Sequence, residues 1–147
     1  MQIRDTIKNC NGCGACAVVC KEACIKIEKD ETGNKYPVVN ENGCKKCNNC
    51  KLYCPLFNDT EIPIFEECFE YKDEYYDRDM AKVYRTALRK LKDHQVVEFV
   101  GTLCQIAALK SLLGDKLSHN LRIYPLMCDK DNPKRPECVD CVFYKDL

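Results

Sequence analysis

The sequence predicts an α+β chain in two unlike parts, on three observations. Two cysteine runs of the form C-x2-C-x2-C-x3-C span Cys10 to Cys20 and Cys44 to Cys54. The stretch between them alternates as half-buried strands do. From Gln95 to Met127 the pattern then reads strand, helix, strand. At 147 residues there is room for one domain or two small ones. The expected division is a cysteine-rich part over 1–58, an acidic aromatic connector over 59–79 and a short α/β part over 80–147.

Composition narrows the function. Lys+Arg and Asp+Glu are both 23, a formal net charge of +0, which argues against a nucleic-acid binder with its usual basic excess. No apolar run approaches the ~18 to 20 residues of a membrane span. The opening MQIRDTIKNC is polar and has no hydrophobic core of a secretory signal. The expected compartment is the cytoplasm, where disulfides are rare, so 14 cysteines are expected to bind metal.

Spacing indicates which metal. Cys10, Cys13, Cys16 and Cys20 form one run; Cys44, Cys47, Cys50 and Cys54 repeat it in register, with Pro55 after the last. This is the bacterial ferredoxin pattern, in which three cysteines of a run hold one [4Fe–4S] cube and the fourth crosses to the other cube. The assignment is Cys10, Cys13, Cys16 and Cys54 on one cluster, and Cys44, Cys47, Cys50 and Cys20 on the second. The rival is structural zinc, which takes four ligands per site and separates two cysteine pairs by a long spacer. Gly12 and Gly14 flank Cys13, where the backbone must come close to the sulfides. Between the runs, Ile25–Glu28 and Tyr36–Val39 read as a hairpin turning over Asp30–Asn34. Tyr36 and Tyr53 are candidates to cover the clusters, or simply the small core.

Charge is uneven. Residues 1–58 carry 9 basic and 6 acidic groups, residues 59–79 carry 2 and 9, and residues 80–147 carry 12 and 8. The acidic stretch holds Phe65, Phe69, Tyr71, Tyr75 and Tyr76, expected to clamp onto a neighbouring element or to dock a partner. Beyond it, Met80, Tyr84, Ala87, Leu88 and Leu91 form one helical stripe. Gln95–Val100 reads as a strand, Gly101-Thr102 as a turn with Thr102 an N-cap, Leu103–Leu113 as a helix stopped by Gly114, and Leu121–Met127 as a strand. That order implies a parallel βαβ unit. Cys104 and Cys128 then both follow strand ends, at the sheet edge where open α/β sheets carry their sites. With the C-x2-C pair Cys138 and Cys141 they could build a third site; the alternative is that Cys104 and Cys128 are buried fillers.

These residues support a family resemblance. The paired runs, VEFVGTLCQIAALKSLLG over 97–114, Cys128 and RPECVDCVFY over 135–144 resemble the coenzyme F-420 (deazaflavin) hydrogenase/dehydrogenase beta-subunit family. The family's G-T-P-C-Q motif appears as Gly101-Thr102-Leu103-Cys104-Gln105. The resemblance implies that Cys104, Cys128, Cys138 and Cys141 hold a third [4Fe–4S] cluster, and brings with it flavin (FAD or FMN) and deazaflavin chemistry. Leu103 replaces the motif's Pro, Asp129-Lys130 replaces a frequent His-Gly, and the long middle region of typical members is missing. There is no G-x-G-x-x-G after a strand and no Walker-type loop.

The expected function is a one-electron carrier relaying electrons between redox partner proteins. The alternative is a shortened flavin- or deazaflavin-dependent subunit completed by another chain of a larger oxidoreductase complex. The cysteines act as ligands, and no residue is assigned a catalytic role. His94 and His119 read as solvated, Cys24 as a small core residue or an alternate ligand beside Cys20, and Cys68 as incidental.

Overall fold

The computed structural model describes residues 10, 12–31, 35–63, 65, 67–70, 73–114, 120–128 and 143. The expected turn over Asp30–Asn34, His119, and the Cys138/Cys141 pair lie partly or wholly outside these residues.

The cysteine-rich part opens with a single helical turn and a half, α1 (Ala15–Val19), entered through Gly14. Gly12 and Gly14 take φ of 70° and 90°, left-handed values that a side chain disfavours. The hairpin follows as β1 (Ile25–Lys29) and β2 (Lys35–Val39), paired antiparallel from Ile25 opposite Val39 to Lys29 opposite Lys35. On β2 the alternation is clean, with Lys35, Pro37 and Val39 inward. The second run ends in α2 (Asn49–Leu52).

After the connector's short α3 (Asp73–Tyr76), α4 (Met80–Lys92) is capped by Asp79, whose carboxylate accepts the Lys82 N–H at 3.4 Å. Its apolar stripe buries Met80, Tyr84, Ala87 and Leu91, with Leu88 packed at the margin. Then come β3 (Val97–Thr102), α5 (Leu103–Leu113) and β4 (Leu121–Leu126). β3 and β4 are parallel neighbours, Val97 opposite Leu121 through Thr102 opposite Leu126. The expected helix bounds match, but β3 runs on through Gly101 and Thr102, which read as a turn. Thr102 is both the last strand residue and the helix cap: its N–H donates to Gln105 Oε1 at 3.1 Å, and the next residue is already helical. α5 is buried nearly all round, as befits a helix covered on several sides.

One apolar core joins the two parts. Ala15 of α1, Ile62 of the connector, Tyr84 and Ala87 of α4, Phe99 of β3 and Ile106 and Leu109 of α5 belong to a single cluster. Polar ties reinforce it: Tyr84 Oη donates to the Cys13 carbonyl at 2.7 Å, and Arg85 Nη2 to the Ala17 carbonyl at 3.0 Å. Asn58 Nδ2 donates to Leu52 O and Ser111 Oγ, both at 2.8 Å, while Ser111 Oγ donates to Tyr53 O at 2.7 Å. Among the connector's described aromatics, Phe69 and Tyr76 pack onto neighbouring elements, as one expectation had it. Phe69 bridges Leu126, extending the β3–β4 pair, and meets the Tyr124 ring edge-on at 5.7 Å. Tyr76 is buried.

Gly101 sits where no side chain fits. A Cβ there would lie 2.9 Å from a Phe99 ring carbon and 3.0 Å from Gln105 Oε1. Gly101→Ala should therefore cost roughly 1–3 kcal/mol through overpacking, read as a lower urea midpoint with an unchanged slope. An unchanged midpoint would show that the strand-to-helix junction is looser than this packing.

Candidate metal centre

A cavity in the cysteine-rich part is lined by Cys10, Cys13, Cys16 and Cys54, the four cysteines assigned from spacing to one cluster. Gly12, Gly14 and Ala15 form its backbone side; Ile27, Pro37 and Leu56 form an apolar wall. The local sequence explains the convergence. Left-handed turns at Gly12 and Gly14 curl the first run around the cavity, and α1 carries Cys16 on its first turn. Cys54 closes the second run just before buried Pro55, where its carbonyl accepts the N–H groups of Phe57 and Asn58 at 3.1 and 2.9 Å.

Electrostatics report the same grouping. Burial pushes the Cys13 thiol well above its ordinary value, and the charges of Cys16, Cys104 and Cys54 add to the rise. The Cys16 thiol is raised by burial and then by Cys10, Cys54 and Cys50. Cys54 is raised by burial and by Cys10 and Cys50, against backbone N–H groups of Phe57 and Leu56 that lower it. Thiols that raise one another cannot all ionise in a dry cavity without a compensating cation, which is the condition a metal site meets.

The second set is more open. Cys44, Cys47 and Cys50 are near enough for Cys50 to feel both others, after a larger rise from burial. Cys20, Cys44 and Cys50 pack at the edge of a small core of Ala17, Cys24, Ile25 and Val39. Cys47 is the exposed one among the described cysteines. Here the structure adds a residue left undecided by spacing. Cys24 is buried, its Sγ lies 3.2 Å from Cys20 Sγ, and its N–H points to the same sulfur at 3.5 Å. Its thiol is pushed up to about 12, first by the hydrogen bond with Cys20 and then by burial. The C-x3-C spacing of Cys20 and Cys24 was the available signal.

At the α/β edge, Cys104 is the second residue of α5 and Cys128 lies two residues past β4. Because the strands are parallel and in register, both follow the same sheet edge. Cys104 is buried, with its Sγ 3.1 Å from Thr102 Oγ1. It faces inward toward Cys13 and Tyr84, close enough to raise both. Phe143, two positions after Cys141, is buried in the main core. Neither expected tyrosine lines the first cavity. Tyr53 is 38% exposed, and Ile27, Pro37 and Leu56 take the covering role.

Among the described residues, no three His, Cys, Asp or Glu side chains close on a single ion. A tetrahedral zinc with bonds of ~2.3 Å draws its sulfurs to roughly 3.8 Å from one another. A four-iron cube instead takes one thiolate at each of four separate corners. The donor set is all sulfur, in an apolar cavity with backbone close by, and it fits an iron–sulfur group.

Comparison with known proteins gives a limited likeness. The chain is 32% identical over 69 residues to DNA-directed RNA polymerase subunit Rpo3 of Methanosarcina acetivorans, 47% of this chain and 25% of that protein. It is 30% identical over 69 residues to the same subunit of Methanosarcina mazei, with the same coverage. The chain thus spans about a quarter of the length of these relatives. No known protein family's profile matches, so the F-420 beta-subunit resemblance gains no support there, and no solved structure matches.

The raised thiols set a pH dependence for the metal-free, reduced chain. Cys13 and Cys16 ionise near 9.0 when unfolded and higher when folded. Their contribution to stability is therefore whole below about pH 9 and is lost as pH rises from there through the raised values. The metal-free chain should lose at least about 1 kcal/mol between pH 8 and pH 10.5 in urea unfolding. A chain already loaded, its thiolates committed to metal, should show a much smaller loss. Equal losses in the two forms would mean that these thiols are not the metal ligands.

Proposed function

We propose that this chain is an iron–sulfur electron-transfer protein holding two [4Fe–4S] clusters in its cysteine-rich part. The observation that carries this reading is the cavity ringed by Cys10, Cys13, Cys16 and Cys54, drawn from two separate cysteine runs. Cys20, Cys44, Cys47 and Cys50 hold the second group, and Cys104, Cys128, Cys138 and Cys141 a third at the sheet edge. The proposed division follows the sequence: cluster-binding part to residue 58, connector to 79, α/β part beyond.

Such a group, when bound, takes up and gives back single electrons without proton transfer to a substrate. The chain's own residues set the conditions. Ile27, Pro37 and Leu56 keep water from the first set of sulfurs. Tyr84 fixes the Cys13 carbonyl and so the orientation of the ligand loop beneath it. Cys104 lies on the core side of that loop, near Cys13.

A second reading is favoured by one observation, the partial likeness to a DNA-directed RNA polymerase subunit. On this reading the clusters are structural staples in a subunit of a larger assembly. The two readings separate on reversible reduction: a carrier cycles, whereas a staple loses its fold or its iron when reduced and reoxidised. Stoichiometric flavin surviving gel filtration would instead favour the shortened oxidoreductase subunit of the F-420 beta-subunit type.

Anaerobically purified protein should carry about eight iron atoms for two cubes, or about twelve with the third, four per cube. Cys10→Ser and Cys54→Ser should each cost about four irons, and so should Cys128→Ser if the third site is filled. Zinc with little iron, even after reconstitution with iron and sulfide, would sink the redox reading.

A further inference from the structure

Cys20 and Cys24 lie closer together than two metal ligands would. Their sulfurs are 3.2 Å apart, whereas two thiolates on one tetrahedral ion stand roughly 3.8 Å apart. Separate corners of an iron–sulfur cube hold them further apart still. As they stand, one of the pair serves the second cysteine set and the other is a thiol beside it. The turn between them fixes this meeting. The Ala23 N–H donates to the Cys20 carbonyl at 3.2 Å, and Ala23 takes a left-handed φ of 52° that brings the chain back. The Cys24 carbonyl accepts the Asn40 N–H at 2.7 Å, which anchors Cys24 at the open end of the hairpin. Its own N–H points to the Cys20 sulfur at 3.5 Å. Access to the two sulfurs is unequal: Cys24 is buried and Cys20 only partly so, while Lys21, Glu22 and Ala23 between them are exposed. A disulfide holds its sulfurs about 2.0 Å apart, so closing this pair takes a movement of about 1.2 Å in a solvent-facing turn.

We propose that Cys20 and Cys24 form a dithiol site that low-molecular-weight disulfides oxidise when the second set holds no metal. The dithiol step stands on this geometry alone; its competition with metal rests on the electron-transfer reading, in which Cys20 is a ligand. Cys20, the more accessible sulfur, gives its proton to solvent and attacks one sulfur of the small disulfide as a thiolate. A mixed disulfide forms, the original sulfur–sulfur bond breaks, and one small thiolate leaves. The Cys24 sulfur then attacks the Cys20 sulfur, closing the internal disulfide and releasing the second small thiolate. The two protein thiols lose two electrons and two protons, and the small disulfide leaves as two thiols. The product withholds Cys20 from the ligand set until a thiol reduces it. The same bond cannot form while Cys20 is held by iron.

The test uses the full chain with its iron counted, glutathione disulfide as the probe, and alkylation of remaining thiols before peptide mapping. The metal-free, reduced chain given one oxidant per chain should carry the Cys20–Cys24 link as its main disulfide. The same chain in urea, where the turn is lost, should give a mixture of links. Chain that still holds its iron should form the link at least about tenfold more slowly. Cys24→Ser should leave glutathione held on Cys20, and Cys20→Ser should leave Cys24 unreacted. A different main link, the urea mixture without urea, or alkylation of both cysteines would each overturn the dithiol site, and none of these needs a variant to fold. Equal rates with and without iron, the iron being retained, overturn the competition with metal. A chain purified anaerobically without iron brings down the electron-transfer reading and that competition, while the map of the unaltered chain still decides the dithiol site.

Discussion

Four thiols in one dry cavity are the constraint around which this structure is organised. A buried thiol ionises reluctantly, and a second thiolate nearby makes the first still more costly. Cys10, Cys13, Cys16 and Cys54 are held together in spite of this by the elements that line the cavity. Left-handed turns at Gly12 and Gly14 carry the first run round the cavity, and Pro55 and the hairpin's Pro37 are nearly fully buried behind it. Such an arrangement is costly when empty, and a bound metal cation would offset that cost through the same residues. A disulfide is a poor substitute, since it could join two of the four and leave the cavity's remaining thiols as they were.

The core shows why the α/β part cannot be treated as an appendage. A cysteine-rich module of this size has few large apolar side chains, and small modules are marginal without a staple. Here Ala15 of α1 is wholly buried against α4 and α5, and Cys13 packs at the rim of the same cluster. Tyr84 carries the connection further: its ring stacks with Phe99 at 6.2 Å between centroids, and its hydroxyl reaches the Cys13 carbonyl. The helix that packs the βαβ unit is thus also the support for a ligand loop 71 residues earlier. Rigidity at the first site is borrowed from the second part of the chain.

Much of this was legible in the sequence, and the parts that were not share a cause. The paired runs assigned Cys10, Cys13, Cys16 and Cys54 to one group because ligand spacing is a local geometric rule, and those four line one cavity. The α5 bounds were readable because Thr102 and Gly114 are local start and stop signals. The α4 stripe was readable because period 3.6 is a property of neighbours. What spacing could not supply was long-range partnership. The Tyr84–Cys13 tie, the pairing of Phe69 with Leu126 and the burial of Tyr76 depend on how elements dock, and no periodicity encodes that. Cys24 illustrates the boundary between the two. Its sequence distance from Cys20 allowed two readings, and only the fold places its sulfur at 3.2 Å while also burying it in the small core.

A buried cation, Lys35, and a half-buried one, Arg78, meet at the end of the connector. Lys35, inward on β2, is 5% exposed, and its Nζ donates to the Tyr76 carbonyl at 2.5 Å and the Arg78 carbonyl at 2.8 Å. Burial lowers its tendency to hold a proton, while Asp77 and the Cys104 thiol raise it. Arg78 donates to the Tyr75 and Val100 carbonyls at 2.8 and 2.6 Å and lies over the Tyr75 ring. These two cations fasten the end of the connector: Lys35 of the hairpin holds its carbonyls, and its own Arg78 reaches the Val100 carbonyl of β3. They place positive charge on the Cys104 side of the core, where the Cys104 thiol favours the Lys35 cation. Burying a cation is costly unless it is paired and hydrogen-bonded. Lys35 and Arg78 meet that condition through hydrogen bonds to backbone carbonyls.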